Sequence, residues 1–224
     1  MSAGDLAVSV AGVRVTLLPE GAAYLHAAQA VLIGDLHLGR ARTLQRAGVG
    51  LPSGADGDDV ARVEALVHRT AARRVVLLGD LIHARSGVDR TALAALARLA
   101  ELAPGEVRVV PGNHDGAYLH EVAPSAGLIV TGARLRLAGV DLTHHPRVRP
   151  PRSGAPLRIS AHLHPAVELR DGAARLRLPA FLLRAHELVL PAFGSSAAGV
   201  PLRPDGRDRL FAATGARVVE VGRG

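Results

Sequence analysis

The chain has 224 residues, no cysteine and a formal net charge of +7 at pH 7. This length favours a single domain, residues 1–224, with one sizeable core. The lack of cysteine excludes disulfides, thiolate zinc sites and iron–sulfur clusters, so any metal site must use His, Asp and Asn ligands. Only 2% of the residues are aromatic, and we expect an aliphatic core of Leu, Val and Ala.

The positive charge has two interpretations. It would suit an acidic partner such as nucleic acid. However, all 27 basic residues are Arg, and a genome-wide codon bias explains such an excess equally well. The chain does not open with a signal-peptide pattern, and no apolar run approaches the roughly 20 residues of a membrane span. We therefore expect a cytoplasmic protein that does not enter a membrane.

The first half of the chain predicts strands that alternate with helices. Alternation of apolar and polar residues predicts an opening hairpin over residues 6–10 and 13–17. Apolar runs without alternation predict strands buried on both faces, over residues 30–33, 75–78 and 107–110. Helical periodicity predicts helices over residues 58–73 and 88–102, the second ended by Pro104 and Gly105. This succession of strand, loop and helix is typical of βαβ units.

Two other regions lack a helical pattern. Residues 39–57 are rich in Gly and Arg and predict an irregular excursion that could contact a substrate. Beyond Gly116 we expect few helices and a partly antiparallel sheet packed on the first. Its predicted strands cover residues 128–130, 134–137, 140–143, 157–160, 174–178, 181–190 with an interruption near His186, 210–212 and 218–221.

Polar residues of the types that bind metals follow five of the predicted strands. They are Asp35 and His37 after residues 30–33, Asp80 after 75–78, Asn113, His114 and Asp115 after 107–110, His144 and His145 after 140–143, and His162 and His164 after 157–160. We expect these five loops to converge on one rim, where carboxylate, amide and imidazole groups suit divalent metal ions. Asn113 is the only asparagine in the chain. The other histidines match no motif, and we expect structural or surface roles for His26, His68, His120 and His186.

In their order and spacing these motifs resemble the calcineurin-like metallophosphoesterases, whose signature is Asp-x-His, Gly-Asp, Gly-Asn-His-Asp/Glu, a single His and Gly-His-x-His. The resemblance implies an α/β fold, a two-sheet β-sandwich flanked by helices in four αββα layers. It also implies a two-metal centre, with Asp35, His37 and His164 on the first ion, Asn113, His144 and His162 on the second, and Asp80 bridging both. His114 would lie over the substrate without binding a metal, and Asp115 would fix its tautomer.

The chain departs from this family pattern at two positions. Ala161 stands where the family usually has Gly before the first His of the last motif, and Ala is acceptable there if its φ is negative. The single His of the fourth motif is here a pair. We choose His144 as the ligand because it directly follows the predicted strand, which leaves His145 for the surroundings of the centre or for the substrate.

A narrower resemblance, spanning residues 31–199, points to the bacterial ligase-associated DNA damage response endonucleases of the PdeM type. It rests on the sequences of residues 34–40, 48–54, 79–85, 162–166, 178–181 and 190–194. The resemblance implies manganese-dependent cleavage of phosphodiesters, with Fe or another divalent metal as the alternative. It also implies a role in DNA repair in association with a DNA ligase and a helicase. The chain departs from this branch after Gly194, where it has small residues in place of an aromatic residue, Thr and glycines.

Several residues near the predicted rim are candidate substrate contacts. Residues 147–154 carry three arginines and two prolines and predict a stiff exposed connector, which is either a nucleic-acid contact or a solvated loop. His83 follows the predicted bridging Asp80 by three residues and should lie near the rim without binding a metal. The full set of predicted substrate-binding residues is Arg40, His83, His145, Arg147, Arg149 and Arg152.

The leading hypothesis from these features is a dinuclear metal-dependent phosphodiesterase that cleaves DNA. A phosphomonoesterase or a nucleotide phosphodiesterase is the alternative enzyme, because the same core serves all three activities and the fold does not determine the substrate. A non-catalytic nucleic-acid-binding or scaffold protein is the alternative of a different class, and the complete set of predicted ligands argues against it.

Overall fold

The computed structural model describes residues 2–103, 105–149, 151–152, 154–172, 174–203 and 205–222. The strands are β1 (Leu6–Val10), β2 (Val13–Leu17), β3 (Ala23–Leu25), β4 (Ala30–Gly34), β5 (Arg74–Leu78), β6 (Glu106–Val110), β7 (Ile129–Val130), β8 (Arg134–Leu137), β9 (Val140–Thr143), β10 (Arg158–Ser160), β11 (Pro165–Asp171), β12 (Ala174–Arg184), β13 (Glu187–Val189), β14 (Val200–Pro201), β15 (Arg209–Ala213) and β16 (Val218–Val221). The α-helices are α1 (Arg40–Arg46), α2 (Ala55–Thr70), α3 (Arg90–Ala100) and α4 (Tyr118–Ser125).

The first sheet follows the order of the sequence, from β1 to β7. Its strands β1 to β4 are antiparallel neighbours, whereas β4, β5, β6 and β7 run parallel. Gly34 at the end of β4 pairs with Leu78 of β5, which in turn pairs with Val110 of β6. The carboxyl ends of these three strands are therefore level, and the three loops that follow them start at one edge of the sheet.

Both faces of the first sheet are buried, as the apolar runs without alternation predict. On one face Val31, Val75 and Val107 pack against apolar residues of α2, α3 and α4. On the other face Leu32, Val76, Leu78 and Val110 pack against the second sheet. Neighbouring residues of one strand thus serve two different cores, because side chains alternate between the faces of a strand.

The second sheet has nine strands, with β9, β10 and β13 parallel at its centre and antiparallel neighbours around them. Leu142 of β9 pairs with Ile159 of β10, so the loops after these two strands also leave from one edge. Phe181 and Phe211 from this sheet are fully buried between the sheets. Leu182 points the other way, into a smaller cluster on the outer face.

The predicted fold class is confirmed, since two mixed sheets form a sandwich with helices around it. The opening hairpin is confirmed as well. Helix α2 begins at Ala55 and ends at Thr70, so the predicted helix over residues 58–73 is three residues too far along the chain. Helix α3 ends at Ala100, and Pro104, its predicted breaker, lies outside the described residues.

Two predictions about secondary structure are wrong. The predicted irregular excursion contains α1, which has no sustained apolar stripe and is instead held by tertiary contacts of Ala41 and by a hydrogen bond from Arg46 to the carbonyl of Ser86. Beyond Gly116 the described residues form one α-helix, α4, so the expectation of few helices in this region is confirmed. The sequence does not predict β11, and β12 runs without a break from the predicted strand 174–178 into the predicted strand 181–190, because the exposed half of this hairpin is paired across the strands and has no buried face. Within the described residues, no helix is long and apolar enough to cross a membrane.

Candidate metal centre

The five predicted loops meet where the edges of the two sheets come together. Three of them follow β4, β5 and β6, and two follow β9 and β10. The loop after β10 touches the loop after β4 directly, because the amide of His162 donates to Oδ2 of Asp35 over 2.9 Å. The amide of His114 donates to Oδ1 of Asp80 over 2.8 Å. Each carboxylate therefore has one oxygen fixed by a backbone amide, and its second oxygen faces the other candidate metal ligands.

Five of the seven predicted ligands have a left-handed backbone conformation. Their φ angles are 46° at Asp35, 53° at His37, 46° at Asp80, 69° at His162 and 47° at His164. For residues other than glycine such a conformation costs about 1–3 kcal/mol each, and it is concentrated at functional sites. These left-handed turns direct the side chains at consecutive strand ends toward one point. An extended backbone would direct the same side chains away from one another.

The first group of ligand atoms comes from Asp35, His37, Asp80 and His164, and these atoms all lie within 4.8 Å of one another. Nε2 of His164 is 3.4 Å from Oδ1 of Asp35 and 3.4 Å from Nε2 of His37. Nε2 of His37 is 3.9 Å from Oδ2 of Asp80. Asp35, His37 and Asp80 are buried, and His164 is half-buried.

The second group adjoins the first through Asp80. Nε2 of His144 is 2.9 Å from Oδ1 of Asn113, 3.1 Å from Nδ1 of His162 and 3.5 Å from Oδ2 of Asp80. The same oxygen of Asp80 thus faces an imidazole of each group. This position is the one that a carboxylate shared by two ions requires.

The hydrogen bonds of His144 show that acceptor atoms of the second group face one another. Nδ1 of His144 lies 3.0 Å from the carbonyl oxygen of Leu78, so the ring proton is on Nδ1 and the lone pair is on Nε2. That lone pair faces Oδ1 of Asn113 and Oδ2 of Asp80, which are acceptors as well. In the first group, Oδ1 of Asp35 is buried and has no hydrogen-bond partner among the described residues. Both groups fit divalent cations, because a cation would satisfy every one of these atoms.

Burial favours the neutral form that binds metals in His37 and His162 of the centre. Burial, reinforced by His164 and His83, lowers the pKa of His37 to about 2. Burial also lowers the pKa values of His162 and His145, with His144 as the next cause for both. His164 differs, since the carboxylate of Asp35, whose Oδ1 is 3.4 Å from its Nε2, outweighs burial and raises its pKa.

The two adjacent histidines differ in burial, and both belong with His162 to a group of possible metal ligands. His144 is buried beneath Gly79, whereas His145 is exposed and its ring packs edge-on against His144 and His162. Gly79 has a φ of +82°, and a Cβ atom at this position would overlap the ring of His144. The approach of His144 to Asp80 therefore requires glycine in the Gly79-Asp80 motif.

Ala161, the other departure from the family pattern, is accommodated. Non-glycine residues with positive φ occur at ten described positions, and Ala161 is not among them. The residue is fully buried, and its methyl group fills the space beside Gly34, where another Cβ atom would clash with it. The alanine thus packs the seam between the loops that carry Asp35 and His162.

His114 is exposed at the rim, and His83 holds it in place. Nδ1 of His114 lies 3.0 Å from the carbonyl oxygen of His83, and the two rings stack with centroids 4.9 Å apart. His83 also reaches the centre, because its Nδ1 is 3.4 Å from Nδ1 of His37. When Nε2 of His37 faces a metal, its Nδ1–H can be donated to His83, as is common for metal-binding histidines.

The prediction that Asp115 orients His114 is wrong. Asp115 is buried, and its two oxygens accept hydrogen bonds of 2.8 Å from the amides of Ile82 and Gly112. Asp115 therefore ties the loop after β6 to the loop after β5. The group that fixes the tautomer of His114 is the backbone carbonyl of His83, a role that a sequence does not display because every residue has such a carbonyl.

The predicted substrate-binding arginines occupy different environments. Arg40 begins α1 beside His37 and His83, and its charge contributes to the lowered pKa values of both. Arg149 and Arg152 are exposed. Arg147 is half-buried, and its Nη2 donates to the carbonyl of Pro156 over 2.9 Å, which indicates a packing role in its loop. Pro150 and Ser153, which belong to the predicted connector, lie outside the described residues.

The four histidines without a motif have the roles expected of them. Nε2 of His26 is 2.8 Å from Oγ1 of Thr16, and Nδ1 of His186 is 2.9 Å from the carbonyl of Ala155. His68 and His120 are exposed on helices. None of these four belongs to a metal-binding group of the described residues.

Comparison with known proteins agrees with this geometry. The nuclease MPE of Pseudomonas putida is similar in structure, with a TM-score of 0.78 and 27% sequence identity over 97% of this chain and 100% of that chain. A protein of unknown function from Aquifex aeolicus is 16% identical over 60% of this chain and 78% of its own, with a TM-score of 0.42. A search of curated proteins gives no match.

The match to a family model includes the whole centre. The model of the calcineurin-like phosphoesterases matches residues 29–166, a span that begins before β4 and ends just after His164. All seven predicted ligands fall within it. The chain belongs to the calcineurin-like phosphoesterase family and is a hydrolase of phosphate esters.

Proposed function

We propose that the protein is a nuclease that uses two divalent metal ions to hydrolyse phosphodiester bonds of DNA, with Mn²⁺ as the preferred metal. The observation that carries the proposal is the position of Oδ2 of Asp80, which faces His37 of one acceptor group and His144 of the other. The similarity to the Pseudomonas putida nuclease over nearly the whole chain supports DNA as the substrate.

Each ion has its own ligands in this proposal. Asp35, His37 and His164 hold the first ion, Asn113, His144 and His162 hold the second, and Asp80 holds both. When bound, the two ions stabilise charge on the phosphoryl oxygens and make water a nucleophile at neutral pH. The mixture of carboxylate, amide and imidazole ligands without a thiolate suits Mn²⁺ and Fe²⁺.

His114 is the proposed proton donor to the leaving oxygen. Its Nδ1–H stays on the carbonyl of His83, so Nε2 is the atom that takes up and releases a proton at the open side of the rim. The stacked ring of His83 limits rotation of the imidazole. A positioned acid of this kind contributes typically about 10²–10⁴-fold to the rate.

The open rim and the surrounding charge favour a polymeric substrate over a small ester. Asn113, His114 and His145 are exposed, and the centre therefore lies at the surface. Arg40 stands beside the first group, and the chain has a net charge of +7. These features suit a backbone of phosphates that extends past the scissile bond. A role in DNA repair alongside a ligase and a helicase is part of the proposal and rests on the sequence resemblance alone.

Cleavage assays with defined substrates test this function. Purified protein is incubated with closed circular DNA, linear DNA, bis(p-nitrophenyl) phosphate and p-nitrophenyl phosphate, with Mn²⁺ and then with a chelator. We expect metal-dependent nicking of circular DNA and faster hydrolysis of the diester than of the monoester. The control variant is His120→Ala, which removes an exposed histidine of α4 outside the centre. Preference for the monoester would identify a phosphomonoesterase, and no turnover with any metal would favour the scaffold alternative.

A further inference from the structure

A segment distant in sequence from most of the ligands joins the loops that carry Asp35 and His164. Residues 193–200, here called the strap, form backbone hydrogen bonds at both of their ends. The amides of Phe193 and Gly194 donate to the carbonyls of Gly34 and Asp35 over 2.9 and 3.1 Å, and the amide of Val200 donates to the carbonyl of His164 over 2.7 Å. The strap thus connects one ligand from each sheet.

The strap also lies beside a ligand side chain, and it packs closely against the loop that carries Asp35. The backbone of Ala198 lies beside the imidazole of His164, so the strap adjoins the ring of this ligand as well as its backbone. At Gly194 a Cβ atom would overlap the carbonyl of Leu36. The strap is therefore pressed against the Asp35 loop, and a displacement of the strap must displace that loop.

Helix α2 fixes the middle of the strap through a buried carboxylate. Oδ2 of Asp59 accepts hydrogen bonds from the amide and the hydroxyl of Ser195 over 2.9 and 3.1 Å. Oδ1 of Asp59 accepts a bond of 2.8 Å from Arg62. The same guanidinium donates to the carbonyl of Phe193 and lies 4.1 Å from the centroid of the Phe193 ring. Asp59 is only 2% exposed. Burial raises its pKa, and its hydrogen bonds with Ser195 and Arg62 act in the opposite sense by favouring the ionised carboxylate.

We propose that Asp59, together with Arg62, is a positioning residue for the first ion. Through the strap it holds Asp35 and His164 at the separation of 3.4 Å that one ion can span. The inference rests on the proposed function, because it requires that these two residues bind an ion. Among the hydrogen bonds of the described residues, none joins the strap to Asn113, His144 or His162, so the effect should be confined to one of the two ions.

The test is a calorimetric titration of metal-free protein with Mn²⁺, without substrate. In Asp59→Asn the amide group would face a donor of Ser195 or Arg62, and in Ser195→Ala one of the two bonds to the strap is lost. We expect Asp59→Asn to weaken the binding of one Mn²⁺ ion by about 10–100-fold, the usual effect of removing a group that orients a ligand. The affinity for the other ion should be unchanged. Ser195→Ala should give a smaller loss of the same ion, and Ser195→Thr should restore it.

A matched control separates positioning from general stability. Asp5 is a second carboxylate that pairs with an arginine of α2, since both its oxygens accept from Arg69 over 2.9 and 3.0 Å, but none of its bonds involves a loop of the centre. Asp5→Asn should lower the melting temperature and leave both Mn²⁺ affinities unchanged. The variant His164→Ala should lack the first ion. Adding Asp59→Asn to this variant should not change the affinity for the ion that remains.

The outcomes are distinguishable. Equal affinities in wild type and Asp59→Asn, or equal weakening of both ions, would overturn the role of the strap while leaving the two-ion centre intact. If Asp59→Asn does not fold, Ser195→Ala and Ser195→Thr decide by the same criterion. A folded wild-type protein that binds no Mn²⁺ would instead defeat the proposed metal centre, and the role of Asp59 with it.

Discussion

Nε2 of His144 lies 2.9 Å from Oδ1 of Asn113, although the proton of this imidazole is on the opposite nitrogen, where it is donated to the carbonyl of Leu78. Two acceptors at this distance repel each other unless a cation lies beside both. The contact joins the loop after β6 in one sheet to the loop after β9 in the other. A bound ion should therefore strengthen the attachment of the two sheets at this edge.

Replacement of Asp80 should affect both ions. Its Oδ2 faces both groups, so Asp80→Asn should lower the metal content from two ions per chain toward none, whereas His164→Ala should remove only the first. Elemental analysis after dialysis against a metal-free buffer measures the content. Two retained ions together with normal activity in Asp80→Asn would disprove the bridging role.

Replacement of His114 should separate catalysis from metal binding. His114→Ala should keep both ions and lose about 10²–10⁴-fold in the rate of DNA cleavage, because the sugar oxygen leaves poorly without a proton. The loss should be smaller for an activated nitrophenyl ester, whose leaving group needs no proton. His83→Ala retains the backbone carbonyl that holds His114 and should cost less than His114→Ala on DNA. Loss of an ion from His114→Ala would make this residue a ligand and refute the assignment.

The metal-free protein should become less stable in acid because of His37. The pKa of this residue falls from 6.5 to about 2 on folding, so between these values the unfolded chain binds one more proton than the folded chain. The free energy of unfolding should then rise with pH by about 1.4 kcal/mol per unit for this proton. The raised pKa of His164 acts in the opposite sense and contributes stability that is lost above 6.5.

Urea denaturation of metal-free wild type and His37→Gln at several pH values measures this effect. The stability of His37→Gln should decline less steeply than that of wild type as the pH is lowered from about 7 to about 5. Parallel declines in the two proteins would show that His37 is not held neutral by the fold.

The salt dependence of DNA binding should distinguish the arginines. If Arg40, Arg149 and Arg152 contact phosphates, their replacement by Ala should reduce the slope of log affinity against log salt by about 0.9 per lost contact on duplex DNA. Arg147→Ala is the comparison, because its Nη2 is bonded to Pro156, and this variant should lower stability without a change in slope. An unchanged slope in the triple variant would assign the arginine excess to composition.

The sequence predicts which loops meet at the candidate centre, because each loop is recognised from residues that are adjacent in the chain. Each loop follows an apolar run, and parallel strands in register bring Asp35, Asp80 and Asn113 to one edge. What holds these residues in place is less visible. The carbonyl of His83, the strap and the left-handed turns are properties of the backbone, and residue types hardly encode them. Helix α1 was missed for a related reason, since its contacts are with residues distant in sequence and not along its own apolar face.

The most direct measurement is anomalous X-ray diffraction from crystals of the protein grown with Mn²⁺. We expect two manganese peaks at the centre, one beside Asp35, His37 and His164 and the other beside Asn113, His144 and His162. Both peaks should lie within ligand distance of the Asp80 carboxylate. A single peak, or peaks that do not share Asp80, would contradict the two-ion centre.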